Sequence, residues 1–228
     1  MNKPSIRRKT ATLPSKPVQR GTLPHQVYLQ IKELILDGGI APGELVTIQG
    51  LAKAFDVSAM PVREALQRLT AEKALTVVSG RSVGIPELDA ERLRDLCRVR
   101  LEIESLATEW ATVRIRDAEL GTLATLIDSM DEAINANNTH AFVRANHDFH
   151  FTIYRASGSA TLIAIIEELW LQVSPYFHLL HSSGNYSQAN QQHRNILQAL
   201  HQQDSTAAGA SIRADISAAA EVLLSLLD

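Results

Sequence analysis

The chain has 228 residues, and 45% of them are hydrophobic, so it is long enough to form two domains with apolar cores. We expect no membrane span, because no apolar run reaches about 18 residues, and no secretory signal, because the basic start lacks an apolar segment. The single cysteine, Cys97, excludes an internal disulfide and favours a cytoplasmic protein, in which this residue is a small core hydrophobe.

Charge is distributed unevenly along the chain. Residues 1–86 contain 12 Lys and Arg against 6 Asp and Glu, and residues 87–228 contain 10 against 19, which together give the overall net charge of −3. A basic N-terminal part suits a polyanionic partner, whereas an acidic C-terminal part is repelled by one. Residues 1–22 are predicted to be a flexible basic tail ahead of the first domain.

The first predicted element is an amphipathic helix over residues 25–38. Its apolar stripe consists of Val27, Ile31, Leu34 and Ile35, and the pair Gly38-Gly39 would end it. The Pro-Gly pair within residues 40–46 predicts a turn after this helix.

Residues 47–69 read as a short helix, a tight turn and a second helix. Asp56-Val57 makes the turn, Ser58 is a suitable N-cap, and Pro61 falls in the first turn of the second helix, where its missing N–H is tolerated. A helix–turn–helix lays the start of its second helix against base edges in the major groove, and Arg63 is placed for that contact. The pattern alone leaves open a helical hairpin in an ordinary all-α domain.

Two short β-branched runs follow, at residues 75–78 and 81–86, separated by the turn Ser79-Gly80. They predict a small hairpin that completes a winged helix–turn–helix over residues 23–86. Arg81 at its tip is expected to reach phosphates or the minor groove.

The segments IAPGELV (40–46), LAKAFDVS (51–58) and PVREALQRL (61–69) resemble the winged-helix domain of the GntR family of bacterial transcriptional regulators. The resemblance implies a homodimer that binds a double-stranded DNA operator, and family habit implies a repressor. The DNA-facing residues expected here are Gln49, Ser58, Met60, Arg63, Gln67 and Arg81. The family often has arginine at the position of Gln49 and Arg-Thr at Ala59-Met60, so Arg63 is the one residue of the usual arginine set that remains.

Residues 87–228 are predicted to form an all-α antiparallel bundle, which makes the protein mainly α. The six predicted helices cover about 89–114, 117–134, 139–156, 160–180, 187–201 and 205–227. On the first of them, apolar faces are assigned to Leu93, Leu96, Val99, Leu101, Ile103, Leu106 and Ala107.

One polar group of residues stands out in this bundle. Asn146 and His150 are four residues apart and share a helix face, while His193 and Asp215 lie on the fifth and sixth helices. Two imidazoles, a carboxylate and an amide oxygen suit a divalent transition metal such as zinc, nickel or manganese. Spacing alone leaves open that the histidines are ordinary core or surface residues.

The segments VRLEIESLA (99–107), NHDFHFTIYRASGSATL (146–162) and QQHRNILQALHQQD (191–204) resemble the FCD effector domain of the FadR branch of GntR regulators. The resemblance implies a metal held by Asn146, His150 and His193, with Asp215 where a third histidine is expected. It also implies a small carboxylate effector gripped by the metal and by Arg100, with Glu104 orienting Arg100. The alternative for this last pair is a surface ion pair. His178 and His181 match no motif and are interpreted as solvent or subunit-interface residues.

The sequence therefore predicts a homodimeric transcriptional regulator whose DNA affinity is controlled by an organic acid at a metal-containing site. Two alternatives remain open. Asp215 could mark the loss of the metal, leaving a degenerate effector domain that serves dimerisation. Two histidines and a carboxylate also occur in non-haem metalloenzymes, although the sequence shows no nucleophile–base pair and no cofactor loop.

Overall fold

The computed structural model describes residues 23–79, 82–181 and 184–227. The predicted tail at 1–22 and the predicted DNA contact at Arg81 lie outside these residues.

The first six elements form a winged helix–turn–helix, here called the winged unit. They are α1 (Leu23–Leu36), β1 (Leu45–Thr47), α2 (Ile48–Ala54), α3 (Ala59–Ala71), β2 (Thr76–Ser79) and β3 (Ser82–Gly84). Helix α1 ends where Gly38 adopts a positive φ of 71°, and the turn between α2 and α3 is made by Asp56 with a φ of 52°. Thr47 caps α2 by accepting a hydrogen bond from Gly50, and Ser58 occupies the N-cap position of α3 without a side-chain cap bond.

The wing is a three-stranded antiparallel sheet in the order β1-β3-β2. Strand β1, which pairs Val46 with Val83, was missed by the sequence analysis, which predicted only a turn there. Three residues are too few to show a period of two, and the strand is stabilised by a partner almost forty positions away. Gly84 is required in β3, because a Cβ there would lie 2.9 Å from the Glu44 carbonyl oxygen.

The core of the winged unit lies between α1 and α3. Val27, Ile31 and Ile35 of α1 are buried, and the inner face of α3 consists of Val62, Ala65, Leu66 and Leu69. Leu34 was wrongly assigned to the stripe and is 37% exposed. The buried face of α1 is rotated towards Tyr28, so that Leu34 falls at its edge.

The helical bundle consists of α4 (Ala90–Thr112), α5 (Asp117–Asn135), α6 (Thr139–Ala156), α7 (Ala160–Val173), α8 (Asn185–His201) and α9 (Ser205–Leu227). The cap residues Asp89, Asn138 and Ser159 each accept a hydrogen bond from the backbone of the helix they begin. The prediction of one helix to residue 180 was wrong, because α7 ends at Val173 and a 3-10 segment follows over Ser174–Leu180. Pro175 has no N–H to donate to the preceding turn, so the α-helix cannot continue through it.

Helix α4 is central and packs against α6, α7 and α9, while α8 packs against α5 and α9. The buried face of α4 includes Leu93, Leu96, Cys97 and Ala107. Val99 and Leu106, which the sequence analysis also assigned to apolar faces, are 43% and 37% exposed. The helix carries a second apolar face that its own bundle leaves uncovered, and a sequence pattern cannot tell the two faces apart.

Two polar contacts join the winged unit and the linker that follows it, Pro86-Glu87-Leu88, to the bundle. Lys32 of α1 pairs with Glu167 of α7 at 2.5 Å, and Tyr176 donates a hydrogen bond of 2.5 Å to the carbonyl of Pro86 in the linker. Within the bundle, just after the linker, Arg92 of α4 donates a hydrogen bond of 2.5 Å to Gln172 of α7. Among the described residues, no helix is long and apolar enough to cross a membrane.

Candidate functional site

The recognition helix α3 exposes the side chains that the sequence assigned to DNA. Arg63, Gln67 and Met60 are all exposed, and Met60 is 63% accessible. Ser58 is exposed just before α3, and Gln49 is exposed in the first turn of α2. Arg63 and Gln67 also line a groove between α3 and the hairpin strands. The helix–turn–helix thus presents the predicted residues to solvent at its outer surface.

Arg68, on the same helix, is committed to the structure of the winged unit. Its guanidinium lies 3.7 Å over the ring of Tyr28, and its Nε donates to Glu72 at 2.9 Å. The Tyr28 hydroxyl donates to the same carboxylate at 2.9 Å. Burial and Glu72 together raise the pKa of Tyr28, so this hydroxyl remains a donor at any physiological pH.

The second site is a cavity of about 30 Å³ in the helical bundle. Asn146, His150, Asp215 and Arg100 line it, together with the aromatic rings of Trp170 and Phe177 and other residues of α6 to α9. A space of this size holds a metal ion and a water molecule or two.

Three of the predicted metal ligands come together beside this cavity from three helices. His150 lies on α6, His193 on α8 and Asp215 on α9, and their candidate ligand atoms all lie within 4.8 Å of one another. His150 Nε2 is 3.4 Å from one oxygen of Asp215, and His193 Nε2 is 3.8 Å from the other. Two atoms that each lie about 2.1 Å from one ion, at a tetrahedral angle, are roughly 3.4 Å apart. Asn146 lines the cavity one helical turn before His150.

The hydrogen bonds around His193 determine which of its nitrogens is bare. Asn190 uses its amide nitrogen to donate to the Ile127 carbonyl at 3.1 Å and to Asp131 at 2.6 Å, which leaves its amide oxygen 3.3 Å from His193 Nδ1. Because that oxygen can only accept, the neutral ring carries its proton on Nδ1 and a lone pair on Nε2. Asp131 is held in turn by Arg194.

His193 Nε2 is buried and has no hydrogen-bond partner within the described part of the chain. A bare buried nitrogen that faces an ionised carboxylate is costly, since neither group then has a proton to donate to the other. A cation between them satisfies both, so the donor set fits a divalent metal. A histidine whose second nitrogen is hydrogen-bonded to an acceptor is also the usual arrangement at metal sites.

Burial sets the protonation of these residues. It lowers the pKa of His150 well below its usual value, with His193 and Arg100 lowering it further. Burial, with Arg194 nearby, lowers the pKa of His193 to about 3. Both imidazoles are therefore neutral at neutral pH and need lose no proton to bind a metal. Burial raises the pKa of Asp215 to about 7, although Arg100 opposes the rise.

Glu104 is the centre of a buried hydrogen-bond network beside the cavity. It accepts from Arg100 Nε at 2.5 Å and Nη2 at 3.3 Å, from the Tyr154 hydroxyl at 2.5 Å and from Trp170 Nε1 at 3.1 Å. The alternative of a surface ion pair is wrong, because Arg100 is 4% and Glu104 0% exposed. Glu104 orients Arg100, which itself lines the cavity.

Sequence reasoning missed Tyr154, Trp170 and Asn190. Tyr154 stands four residues after His150 and Asn190 three before His193, so helical spacing could have identified both as neighbours on the same face. Trp170 carries no such signal, because its hydrogen bond to Glu104 joins two helices that are far apart in the sequence.

The other two histidines singled out by the sequence, His178 and His181, are half-buried near the end of the 3-10 segment. His178 contacts the Pro175 carbonyl at 2.7 Å, and neither histidine lines the cavity.

Cys97 is buried, as predicted, and burial raises the pKa of its thiol.

A winged helix–turn–helix joined to a helical bundle with a polar cavity defines a class of one-chain transcriptional regulators, and comparison with known proteins gives the family. Residues 23–85 match the model of the gntR family of bacterial regulatory proteins, and residues 95–218 match the FCD domain. The chain belongs to the GntR family of transcriptional regulators and to its branch with an FCD domain.

Individual relatives agree with this placement. The HTH-type transcriptional regulator McbR of Escherichia coli K12 is 29% identical over 160 residues, which cover 70% of this chain and 72% of McbR. The uncharacterized regulator YdhC of Bacillus subtilis is 26% identical over 206 residues, or 89% and 92% of the two chains. The gluconate operon transcriptional repressor of Bacillus licheniformis is 26% identical over 163 residues, or 71% and 66%.

The solved structure of E. coli McbR/YncC superposes with a TM-score of 0.84 at 25% identity and covers 91% of this chain and all of that one. The protein is therefore a DNA-binding transcriptional regulator and not an enzyme, which removes the metalloenzyme alternative.

Proposed function

We propose that the protein is a homodimeric repressor whose affinity for a double-stranded operator is controlled by a small organic acid bound at a metal-containing cavity. In this proposal residues 23–86 bind DNA, and residues 87–228 bind the effector and dimerise. The observation that carries the proposal is the convergence of His150, His193 and Asp215 around a bare buried nitrogen, beside the inward-facing Arg100.

The metal would be held by His150, His193 and Asp215, with Asn146 as a further oxygen ligand. Imidazole and carboxylate donors suit zinc, nickel or manganese. When bound, the metal supplies positive charge and an open coordination position for an oxygen of the effector. Asp215 makes the set carry one negative charge, which neutralises half of the charge of a divalent ion.

Arg100 gives the cavity its preference for anions. Its guanidinium is fixed by Glu104 on one side and lies 5.3 Å from the ring centre of Trp170 and 5.9 Å from that of Phe177. A planar guanidinium held in this way is suited to a carboxylate. The ligand class expected is therefore a small organic acid with one end on Arg100.

The cavity of about 30 Å³ is far smaller than the roughly 300 Å³ or more of a typical ligand pocket. Binding an organic acid therefore requires the aromatic wall of Trp170 and Phe177 to move. Phe177 follows Tyr176, which bonds the linker at Pro86, and Trp170 lies one turn after Glu167, which pairs with Lys32 of α1. Movement of this wall would shift the winged units, with a coupling free energy of about 1–3 kcal/mol.

Operator binding is assigned to Gln49, Ser58, Met60, Arg63, Gln67 and Arg81. Two copies are required because such motifs read two half-sites of a near-palindrome. The second apolar face of α4 supports a homodimer. Its residues are Val99, Ile103, Leu106 and Trp110, followed by the C-cap residue Val113. They recur at alternating spacings of four and three, so they form one narrow stripe, and all but the half-buried Ile103 are exposed.

The test of the metal site is calorimetric titration of chelator-treated protein with zinc, nickel and manganese. We expect one ion per chain and a higher melting temperature, because a ligand that binds only the folded state stabilises it. His150→Ala should abolish both effects. His140→Ala, an exposed histidine of the same helix, is the matched control and should change neither.

The effector is sought by thermal shift of the metal-loaded protein against a panel of organic acids. Stabilisation by an acid that is lost in chelated protein supports the proposal. If an acid stabilises the protein but no metal binds, the cavity is a metal-free effector pocket. If neither a metal nor an acid stabilises the protein, the bundle serves dimerisation alone.

A further inference from the structure

We infer that Tyr154 is a positioning residue that fixes the coordinating nitrogen of His150 and joins the metal site to the Arg100–Glu104 pair through hydrogen bonds. The inference rests on the proposed metal site. It adds a residue that acts on the metal without touching it.

The first observation is the placement of the Tyr154 hydroxyl between two groups. It is fully buried, lies 2.5 Å from Glu104 Oε2 and lies 3.1 Å from His150 Nδ1. Glu104 also accepts from Arg100 and from Trp170, so it acts here as an ionised acceptor. A hydroxyl has one proton, and the short bond to a carboxylate is the stronger of its two options.

This assignment determines the tautomer of His150. Because the Tyr154 proton points to Glu104, its oxygen can only accept from His150, and Nδ1 must carry the imidazole proton. His150 Nε2 is then the bare nitrogen, and it faces Asp215. The opposite tautomer would set two lone pairs against each other at 3.1 Å, in exchange for a long contact of 3.4 Å to Asp215.

The same bonds form a chain from Arg100 through Glu104 and Tyr154 to His150. Each link is a buried contact of 3.1 Å or less. The group that is proposed to grip the effector is thus connected to a proposed metal ligand by three hydrogen bonds. Loss of such an outer partner typically lowers metal affinity by roughly 10- to 100-fold.

The experiment compares Tyr154→Phe with Tyr176→Phe. Both variants keep a buried ring and lose one hydroxyl, but the hydroxyl of Tyr176 bonds the Pro86 carbonyl rather than a group at the cavity. Zinc affinity is measured by competition with a chelator. Tyr154→Phe should lower it by roughly 10- to 100-fold and Tyr176→Phe should leave it unchanged.

The second readout needs no metal. In zinc-free full-length protein with ¹⁵N-labelled histidine, nitrogen chemical shifts report the tautomer of each ring, and the signal of His150 is assigned by its loss in His150→Ala. We expect Nδ1–H in the wild type and in Tyr176→Phe, and a shift towards Nε2–H in Tyr154→Phe. A wild-type His150 with its proton on Nε2, or equal zinc affinity of the two variants, would overturn the inference. A wild type that binds no zinc overturns the metal proposal instead, and the tautomer then still decides the role of Tyr154.

Discussion

At the scale of single residues, the two arginines of α3 illustrate how side-chain contacts separate a structural residue from a candidate DNA contact. Arg63 is exposed and has no described partner, whereas Arg68 stacks on Tyr28 and pairs with Glu72. Both side chains are exposed on the recognition helix. Among the described residues, the contacts assign Arg68 to the winged unit, and Arg63 remains the proposed base contact.

We expect Arg63→Ala to reduce operator affinity by about 1–3 kcal/mol and to relax sequence preference, because one base contact is worth that much. Its melting temperature should stay that of the wild type. Arg68→Ala is the control, and it should lower thermal stability through loss of its contacts with Tyr28 and Glu72. Gel-shift titrations and melting curves measure both. An Arg63→Ala protein with wild-type affinity and preference would disprove the assignment.

Arg100 cannot be tested by simple truncation. Removing it would leave Glu104 buried and unpaired, and breaking a buried pair in this way costs about 3–5 kcal/mol. The double variant Arg100→Gln, Glu104→Gln removes both charges together and is the better test. We expect it to bind DNA normally without effector and to lose most of its response to an organic acid.

The measurement is DNA release at increasing concentration of an acid that stabilises the wild type in the thermal-shift panel. Loss of a charge-assisted contact of about 1.5–3 kcal/mol raises the dissociation constant by one to two orders of magnitude. Release at the same acid concentration in both proteins would show that Arg100 does not anchor the ligand.

At the scale of elements, the 3-10 segment Ser174–Leu180 lies between the cavity and the linker, where the proposed signal would pass. Phe177 and Leu180 line the cavity, while Tyr176 bonds the linker between the winged unit and the bundle. The segment exists because Pro175 ends α7, and its tighter winding places neighbouring residues on different sides. The same seven residues therefore contact both the proposed effector site and the linker.

We expect Tyr176→Phe to uncouple the two units. It should keep wild-type zinc affinity and wild-type DNA affinity without effector, but require more acid to release DNA, because the wall of the cavity loses its direct bond to the linker. Parallel zinc and DNA titrations test this. An unchanged acid response would show that the signal passes by another contact, such as Lys32–Glu167.

Most elements could be predicted from the sequence, because local chemistry marks their ends. Asp89 and Ser159 cap the helices that follow them, and Gly38 ends α1. Strand β1 could not be predicted, since its pairing with β3 is not local. The length of α7 was overestimated because the apolar pattern outweighed the signal of Pro175.

The candidate site was predictable to a similar degree. Helical spacing and the family resemblance grouped Asn146 and His150 with His193 and Asp215. In the structure Asn146, His150 and Asp215 line one cavity, and His193 lies beside His150 and Asp215. The groups that orient them, such as Asn190, come from neighbouring turns and helices. Their roles depend on which side-chain atom donates and which accepts, and this is a property of the packed structure rather than of the sequence.

At the scale of the whole molecule, the exposed stripe on α4 predicts how two chains associate. A two-fold axis near Ile103 and Leu106 would pair the helices antiparallel and bury Trp110 of each copy against Val99 of the other. It would also bring Arg98 of one copy towards Glu109 of the other. These charges lie on opposite sides of the stripe's centre, so the surface is complementary to itself.

We expect Leu106→Glu to give a monomer, because it buries a charge at the centre of this interface. Operator affinity should fall strongly, since each chain would then bind one half-site alone. Ile165→Glu, at an apolar residue of α7 that is 45% exposed, is the control and should remain dimeric. Sedimentation velocity distinguishes these outcomes, and a dimeric Leu106→Glu protein would place the interface elsewhere.

The central claim is that a divalent metal sits where α6, α8 and α9 meet. Its most direct test is an anomalous difference map of crystals of protein purified without chelator and soaked in zinc. We predict one strong peak per chain at about 2.0–2.2 Å from His150 Nε2, His193 Nε2 and an Asp215 oxygen. A map with no peak at these residues, from crystals that hold zinc at other sites, would contradict the account.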